Sequence, residues 1–346
     1  MPRFAINGVP CAESAIKYFN MLTTLCRERR IPDCEFFVND RDGPLLRRDR
    51  REPYSFAWPS GVQVPLVAFA ARHYTPIVSY FTDPDIWEDA PGITLEEWEL
   101  PDTSPSLPWD SKKDVLLWRG AATGFGVMPE TNQRLRLATL RDLEAGIDVG
   151  IVSWNSRERL LPNAAGDLCL TMPDVARLMD LGIKKEDRVE AAAQATYKYV
   201  VYVDGHCAAA RYPAMMRLGT VIFRVASVCN AGHLWFFSTL RGIRIPYAAG
   251  VDDVQAAAAD HVIIDADFSN MRATLAWCRS NPAIAEVIVR NALARAPDRR
   301  ARMDYMATLL GRFAAEPCGA GEGEGLICDT CTNCGNVAWD AEMARD

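Results

Sequence analysis

Three stretches of this chain carry residue types and spacings that could do chemistry. In the first, apolar CEFFV (Cys34 to Val38) runs into the polar turn NDRDGP (Asn39 to Pro44). A short β-run followed by a Gly-Pro turn puts Asp42 at the C-terminal edge of a strand, where open α/β sheets place their ligands. Asp42 is the candidate catalytic base. The second stretch, LLWRGAATGFGVMPETNQRLRLATL (Leu116 to Leu140), reads as a strand, a glycine-bearing loop and a helix. Gly120, Gly124 and Gly126 permit close backbone approach, free N–H groups near the start of the following helix could cradle phosphate oxygens, Thr123 is a further donor-site candidate, and Arg134 can reach back to the same place. The glycine spacing is neither G-x-G-x-x-G nor a Walker loop, so an ordinary strand-to-helix turn stands beside the phosphate reading. The third stretch, KYVVYVDGHCAAARYPAMMRLG (Lys198 to Gly219), repeats that geometry. Gly205 allows the turn, the small residues Cys207, Ala208, Ala209 and Ala210 let a ligand approach the backbone, and Arg211 offers a planar fork to a diphosphate. Two anion cradles on one sheet edge suggest a nucleotide diphosphate. His206 fits a capping or core-edge imidazole as well as a ligand contact, and Pro213 implies a helix that begins there or is kinked there.

Metal chemistry has two candidate motifs. Asp40 with Asp42, or Asp83 with Asp85, forms a D-x-D tripeptide, a spacing that can hold a divalent cation against a diphosphate. Near the end, Cys318 precedes a Gly/Glu linker and CDTCTNC supplies Cys328, Cys331 and Cys334. These four thiolates could hold zinc, against a flexible tail of reduced thiols. His73, His233 and His261 show no ligand spacing and belong at surfaces or strand ends. Trp154 and Asn155, which end the VGIVSW strand, either flank a nucleobase or sit in the core.

The elements that must position these groups follow from the apolar pattern. Ile16, Phe19, Leu22 and Leu25, with Cys26 beside them, form a helical stripe between Glu13 and Arg30 that Pro32 ends. CEFFV and VPLVAFAA (Val64 to Ala71) are buried strands, and residues 82 to 108 form an irregular connection. From Lys113 the runs DVLLWRG, VGIVSW, YKYVVYV, GTVIFRV and HVIIDA alternate with helical stretches at 131–145, 185–195, 254–259, 270–280, 283–294 and 299–313. Continuous apolar runs separated by helices predict a parallel sheet covered on both faces, a Rossmann-like domain.

Composition bounds the class. At 346 residues, 49% hydrophobic and 24% charged, the chain has room for two ordinary globular domains. A net charge of -7 argues against a nucleic-acid partner. Only six of the 38 cationic residues are lysines, so positive charge is carried mostly by guanidinium. The amino terminus lacks a signal-peptide pattern and no apolar run approaches membrane-spanning length, which predicts a cytoplasmic protein with no membrane segment. Most of the eleven cysteines lie among apolar neighbours, as small core residues do.

These blocks, with IPDCEFFVNDRDGPLLRRDRREPY, YTPIVSYF and TLEEWEL, resemble glycosyltransferase family 90, which includes protein O-glucosyltransferases and capsule-associated xylosyltransferases. The resemblance runs in order from about Ile31 to Asn291. It implies an α/β protein of GT-B architecture, two facing Rossmann-like domains with parallel sheets. It implies inverting transfer of a sugar, glucose or xylose, from a UDP-sugar to a hydroxyl of a glycan or protein acceptor, without a metal or other cofactor. Carried over, the family's base falls on Asp42, its diphosphate arginines on Arg134 and Arg211, and its donor-embracing loop on the backbone after Gly205. Arg119, in the aromatic-Arg-Gly strand end, supports the donor site. The chain departs from the family pattern at Trp235, where some members have glutamate before the paired aromatics, here Phe236 and Phe237. It departs again at Ala209, where a serine precedes the diphosphate arginine.

The resulting division is 1–110 for the acceptor-side domain bearing the base, 111–315 for the UDP-sugar domain and 316–346 for a Cys-rich tail. Two other functional readings remain: metal-dependent transfer through a D-x-D motif, and a nucleotide-sugar-binding protein without turnover in which Asp42 caps a turn.

Overall fold

The computed structural model describes residues 21–34, 37–39, 66–68, 78–80, 107–124, 126–162, 165–228, 234–245 and 253–315. The chain separates into two compact units, Met1–Glu96 with Asn230–Thr239 and Pro297–Asp346, and Glu97–Cys229 with Leu240–Ala296. Residues 230–239 and 297–315 therefore group with the amino-terminal segment, whereas the sequence reading includes them in the donor domain.

In the first unit, helical residues 21–28 (α1) precede three short strands, β1 (Phe37–Asn39), β2 (Leu66–Ala68) and β3 (Val78–Tyr80). Their order is β1-β2-β3 and both pairings are parallel, with Phe37 opposite Leu66 and Leu66 opposite Val78. Met21 and Leu25 are fully buried, while Cys26, expected in the core, is exposed on the other face of the helix. Arg29 pairs with Asp304 at 2.7 Å, and the Trp235 ring stacks on Tyr305 at 4.6 Å.

The second unit is built on a six-stranded, wholly parallel sheet. Its strands are β4 (Lys113–Ala121), β5 (Ile147–Ser153), β8 (Tyr197–Tyr202), β9 (Val221–Val225), β10 (Gly242–Arg244) and β11 (His261–Ile264), in the order β10-β11-β9-β8-β4-β5. Both faces are covered, which is why the central strands read as unbroken apolar runs. Leu116, Trp118, Tyr199, Val201, Val221 and Phe223 lie in its core, and Tyr199 meets Trp109 and Phe223 edge-on. A hairpin of β6 (Arg159–Pro162) and β7 (Leu168–Thr171) follows β5, then α3 (Val175–Asp180) and α4 (Ala191–Gln194).

The chain leaves β4 for β5 on one side and returns to β8 on the other. Strand order thus reverses between β4 and β8, and the crevice at their C-terminal ends is where open α/β sheets receive ligands. Helix α2 (Gln133–Ala138) follows β4, and α5 (Tyr212–Met216) follows β8. The α5 start settles the ambiguity at Pro213, which occupies the first helical turn.

Two helices are shorter than their sequence patterns. Helix α2 stops at Ala138 instead of running to Ala145, because Asp142 accepts from Ala145 N and forms an antiparallel bridge with Ile147. The stretch 185–195 is helical only at 191–194, since β5 is an edge strand whose open backbone groups engage the preceding residues: Glu186 N donates to Ile151 O and Lys185 bridges Ile151. Helices α6 (Asp253–Ala258), α7 (Met271–Ser280) and α8 (Pro282–Arg295) complete this unit, and α9 (Arg299–Ala315) belongs to the first. No helix among the described residues is long and apolar enough to cross a membrane.

Candidate functional site

The two sequence-predicted cradles meet at the reversal point. Asn132 caps α2 by accepting from the amides of Arg134 and Leu135, and this places Arg134 over the ends of both strands. From β4, the Arg134 guanidinium binds Ala121 O at 3.2 Å and Thr123 Oγ1 at 2.5 Å; from β8's end it binds Val203 O at 3.1 Å and Asp204 O at 2.9 Å. Arg211, just before α5, donates from Nη1 to Arg119 O at 2.7 Å.

Glycine makes this geometry possible by leaving space. A Cβ on Gly205 would lie 2.6 Å from Thr123 Oγ1 and 3.2 Å from Arg134 Nη2. A Cβ on Gly120 would lie 2.7 Å from Trp118 Cζ2 and 3.0 Å from Arg211 Nη2. Gly124 alone of the predicted glycines has a backbone conformation that side chains avoid, with φ of +139°.

The electrostatics suit an anion. Burial, reinforced by the like charge of Arg134, pulls Arg211 down to about 10, still fully charged at neutral pH. Among the described residues no carboxylate pairs with Arg211, and its other N–H groups have no partner there. A desolvated guanidinium in this condition is costly unless an anion arrives. Asp204 lies at the end of β8 with 5% exposure, and burial holds its carboxyl above the ordinary range against hydrogen bonds from Ser227 and Tyr202.

Several predicted residues act differently from expectation. Arg119 faces the opposite side of β4 from Trp118 and Gly120, as strand alternation requires. Its guanidinium is committed to both Asp148 oxygens at 2.9 Å and to Asp187 O, so it enters the cradle only through its carbonyl. The loop after Gly205 is closed on itself: Gly205 N donates to Cys207 O, and Ala209 N donates to the Tyr202 hydroxyl. Ala208 is buried, and the Ala209 amide is committed to Tyr202. His206 and Cys207 are part-buried in that turn. Trp235, Phe236 and Phe237 are buried, and Trp154 packs partly against the core. His261, expected at a strand end, begins β11 but is buried and bonded through Nδ1 to Asp260 at 2.5 Å. Asp42, Asp40, Asp83, Asp85, His73, His233 and the four tail cysteines lie outside the described residues.

The structure adds a residue that sequence reading missed. Arg159, the first residue of β6, is 6% exposed and donates from Nε to Gly124 O at 3.1 Å and from Nη2 to Ala122 O at 3.2 Å. Nothing in the surrounding NSRER string marks it, because its partners are carbonyls distant in sequence.

The family model for glycosyl transferase family 90 matches residues 16–234, which take in Asp42, both cradles and Arg159. The chain belongs to this family. The family is one of glycosyl transferases. Among curated proteins, the chain is 27% identical over 316 residues to uncharacterized protein 035R of Invertebrate iridescent virus 3, covering 86% of this chain and 26% of that protein. It is 28% identical over 287 residues to uncharacterized protein 027R of Frog virus 3 (isolate Goorha), covering 77% and 28% respectively. It is 26% identical over 350 residues to uncharacterized protein 179R of Invertebrate iridescent virus 6, covering 84% and 27%. The chain therefore spans about a quarter of the length of these relatives.

Proposed function

We propose that this family 90 protein is an inverting, metal-independent glycosyltransferase of GT-B architecture that moves glucose or xylose from a UDP-sugar to a hydroxyl of a glycan or an intracellular protein. One observation supports the donor class above others: Arg211, desolvated beside Arg134 and without a carboxylate partner among the described residues, stands at the reversal point of a parallel sheet. A pyrophosphate would supply the missing charge and accept the unused N–H donors.

In this reading Asp42 takes the proton of the acceptor hydroxyl as its oxygen attacks the anomeric carbon. The bond to the UDP oxygen breaks on the opposite face, and the electron pair leaves with the diphosphate. Arg211 and the loop amides hold the charge that develops there, prearranged before the reaction. Arg134 contributes its positive charge and fixes the loop through Ala121 and Thr123.

A panel of UDP-sugars, each with and without chelator, tests the reading through protection against thermal unfolding and release of UDP. UDP-glucose or UDP-xylose is expected to protect equally in both conditions. Asp42→Asn is expected to bind UDP as the parent does and to lose about a hundred- to ten-thousand-fold in turnover. Loss of protection on chelation would favour the D-x-D alternative, and protection without turnover by any sugar would favour a binding protein.

A further inference from the structure

The carbonyl groups at the end of β4 and in the loop that follows it are captured by side-chain donors. Arg211 holds Arg119 O, Arg134 holds Ala121 O, Arg159 holds Ala122 O and Gly124 O, and Asn132 Nδ2 holds Gly126 O at 2.9 Å. The amides are arranged differently. Ala122 N donates to Ser153 O, but among the described residues the N–H groups of Thr123, Gly124 and Gly126 donate to nothing. Gly124 and Gly126 are themselves buried. A buried N–H without an acceptor costs about 1–3 kcal/mol, so unpaired amides at the two buried glycines suit an acceptor from outside the chain. The trans peptide holds its C=O and N–H on opposite sides. Fixing the Ala122 carbonyl on Arg159 therefore turns the Thr123 N–H the other way.

Arg159 suits this task by its surroundings as well. Its Nη1 is anchored on Asn155 O at 3.3 Å and Arg157 O at 2.5 Å, and no carboxylate pairs with it among the described residues. A planar fork held at one end leaves the other two nitrogens aimed at the loop. An ammonium group cannot span both carbonyls.

We propose that Arg159 is a positioning residue of the donor's phosphate loop, a hairpin-borne guanidinium that holds the Ala122 and Gly124 carbonyls away so that the loop presents amides to a diphosphate. The assignment rests on the donor-site reading above and adds a residue from outside the β4–α2 and β8–α5 segments.

The test is calorimetric titration of the full chain with inorganic pyrophosphate and with UDP, for the parent, Arg159→Met, Arg159→Lys and Arg279→Met. Arg279 is a matched control, since it holds Ala145 O and Asp114 O, each at 3.0 Å, at the opposite end of the sheet. Arg159→Met is expected to weaken both probes by roughly ten- to a hundredfold, the loss of oriented charge-stabilising donors. Arg159→Lys should recover melting temperature but not affinity, and Arg279→Met should lose melting temperature and keep affinity. Parental affinity in Arg159→Met, full rescue of affinity by lysine, or affinity losses that track melting temperature across all variants would each overturn the assignment. If the parent binds pyrophosphate but not UDP, the nucleotide-sugar reading fails while Arg159 is still judged on pyrophosphate. If it binds neither, both fall.

Discussion

Gly120→Ala probes the cradle at the point where sheet packing and anion recognition share an atom's width. Gly120 is in β4, with a backbone that any residue can adopt, so alanine would by itself gain about 0.5–1 kcal/mol from reduced chain entropy. The new methyl, however, would sit 2.7 Å from Trp118 Cζ2 and 3.0 Å from Arg211 Nη2. Ordinary carbon contacts lie near ~3.5–4.0 Å. Trp118 is 2% exposed and walled in by the core, so Arg211 is the group that can give way.

Overpacking of this kind costs about 1–3 kcal/mol. After the alanine gain, the melting temperature should fall by several degrees, at about 2–4 °C per kcal/mol for a unit of this size. Displacing Arg211 from Arg119 O also removes an aligned, charge-assisted donor, worth about 1.5–3 kcal/mol, so UDP should bind roughly ten- to a hundredfold more weakly. Calorimetry on Gly120→Ala, Arg211→Met and the double variant measures both effects. The affinity losses should be strongly non-additive, because both substitutions remove the same contact. A Gly120→Ala protein that is destabilised yet binds UDP like the parent, or losses that simply add, would refute the claim that glycine at this position exists to seat Arg211.

Three further outcomes are expected. Arg211 is pulled down only to about 10, so parental UDP affinity should stay flat from pH 7 to 9, and Arg211→Lys should lose about tenfold despite keeping the charge, both read by titration calorimetry. Burial pushes the Lys112 amine, which donates to Ala195 O and Leu218 O, down to about 8 from an ordinary value of 10.5. The unfolded chain binds more protons between those values, so the cost of this lysine is present below pH 8 and is relieved as pH rises to 10.5; denaturant unfolding of the parent relative to Lys112→Met should show stability rising across that window. Gly311 is inside α9 with nothing within 4 Å of its would-be Cβ, so Gly311→Ala should raise the unfolding free energy by about 1 kcal/mol, seen as a higher melting temperature.

The sheet of the second unit was legible because strands buried on both faces must be apolar throughout, and β4, β5, β8, β9 and β11 all fall on such runs. β10 escaped because Gly242–Arg244 is an edge strand of three residues with a single buried side chain, Ile243. The β6–β7 hairpin and α3 escaped for a related reason: Leu170, Met172, Met179 and Leu181 are exposed, so their apolar positions do not follow the period of a buried face. Arg119 is a different case. Its neighbours Trp118 and Gly120 share one face of β4, so simple alternation already sends its guanidinium away from the Gly120 side and toward Asp148 on β5.

The site itself lacked a glycine fingerprint for a physical reason. In dinucleotide and Walker loops, glycines serve conformations and approaches that leave a fixed spacing in the sequence. Here only Gly124 has a positive φ among the four expected glycines, while Gly120 and Gly205 serve to seat Trp118, Arg211, Thr123 and Arg134. The loop is polarised by side chains that take its carbonyls, and those side chains come from α2, from the turn before α5 and from a hairpin beyond β5. A cradle built in that way has no local period to detect. Its trace in the sequence is scattered arginines, and that signal appears only once the fold has brought Arg134, Arg159 and Arg211 around the same few peptide bonds.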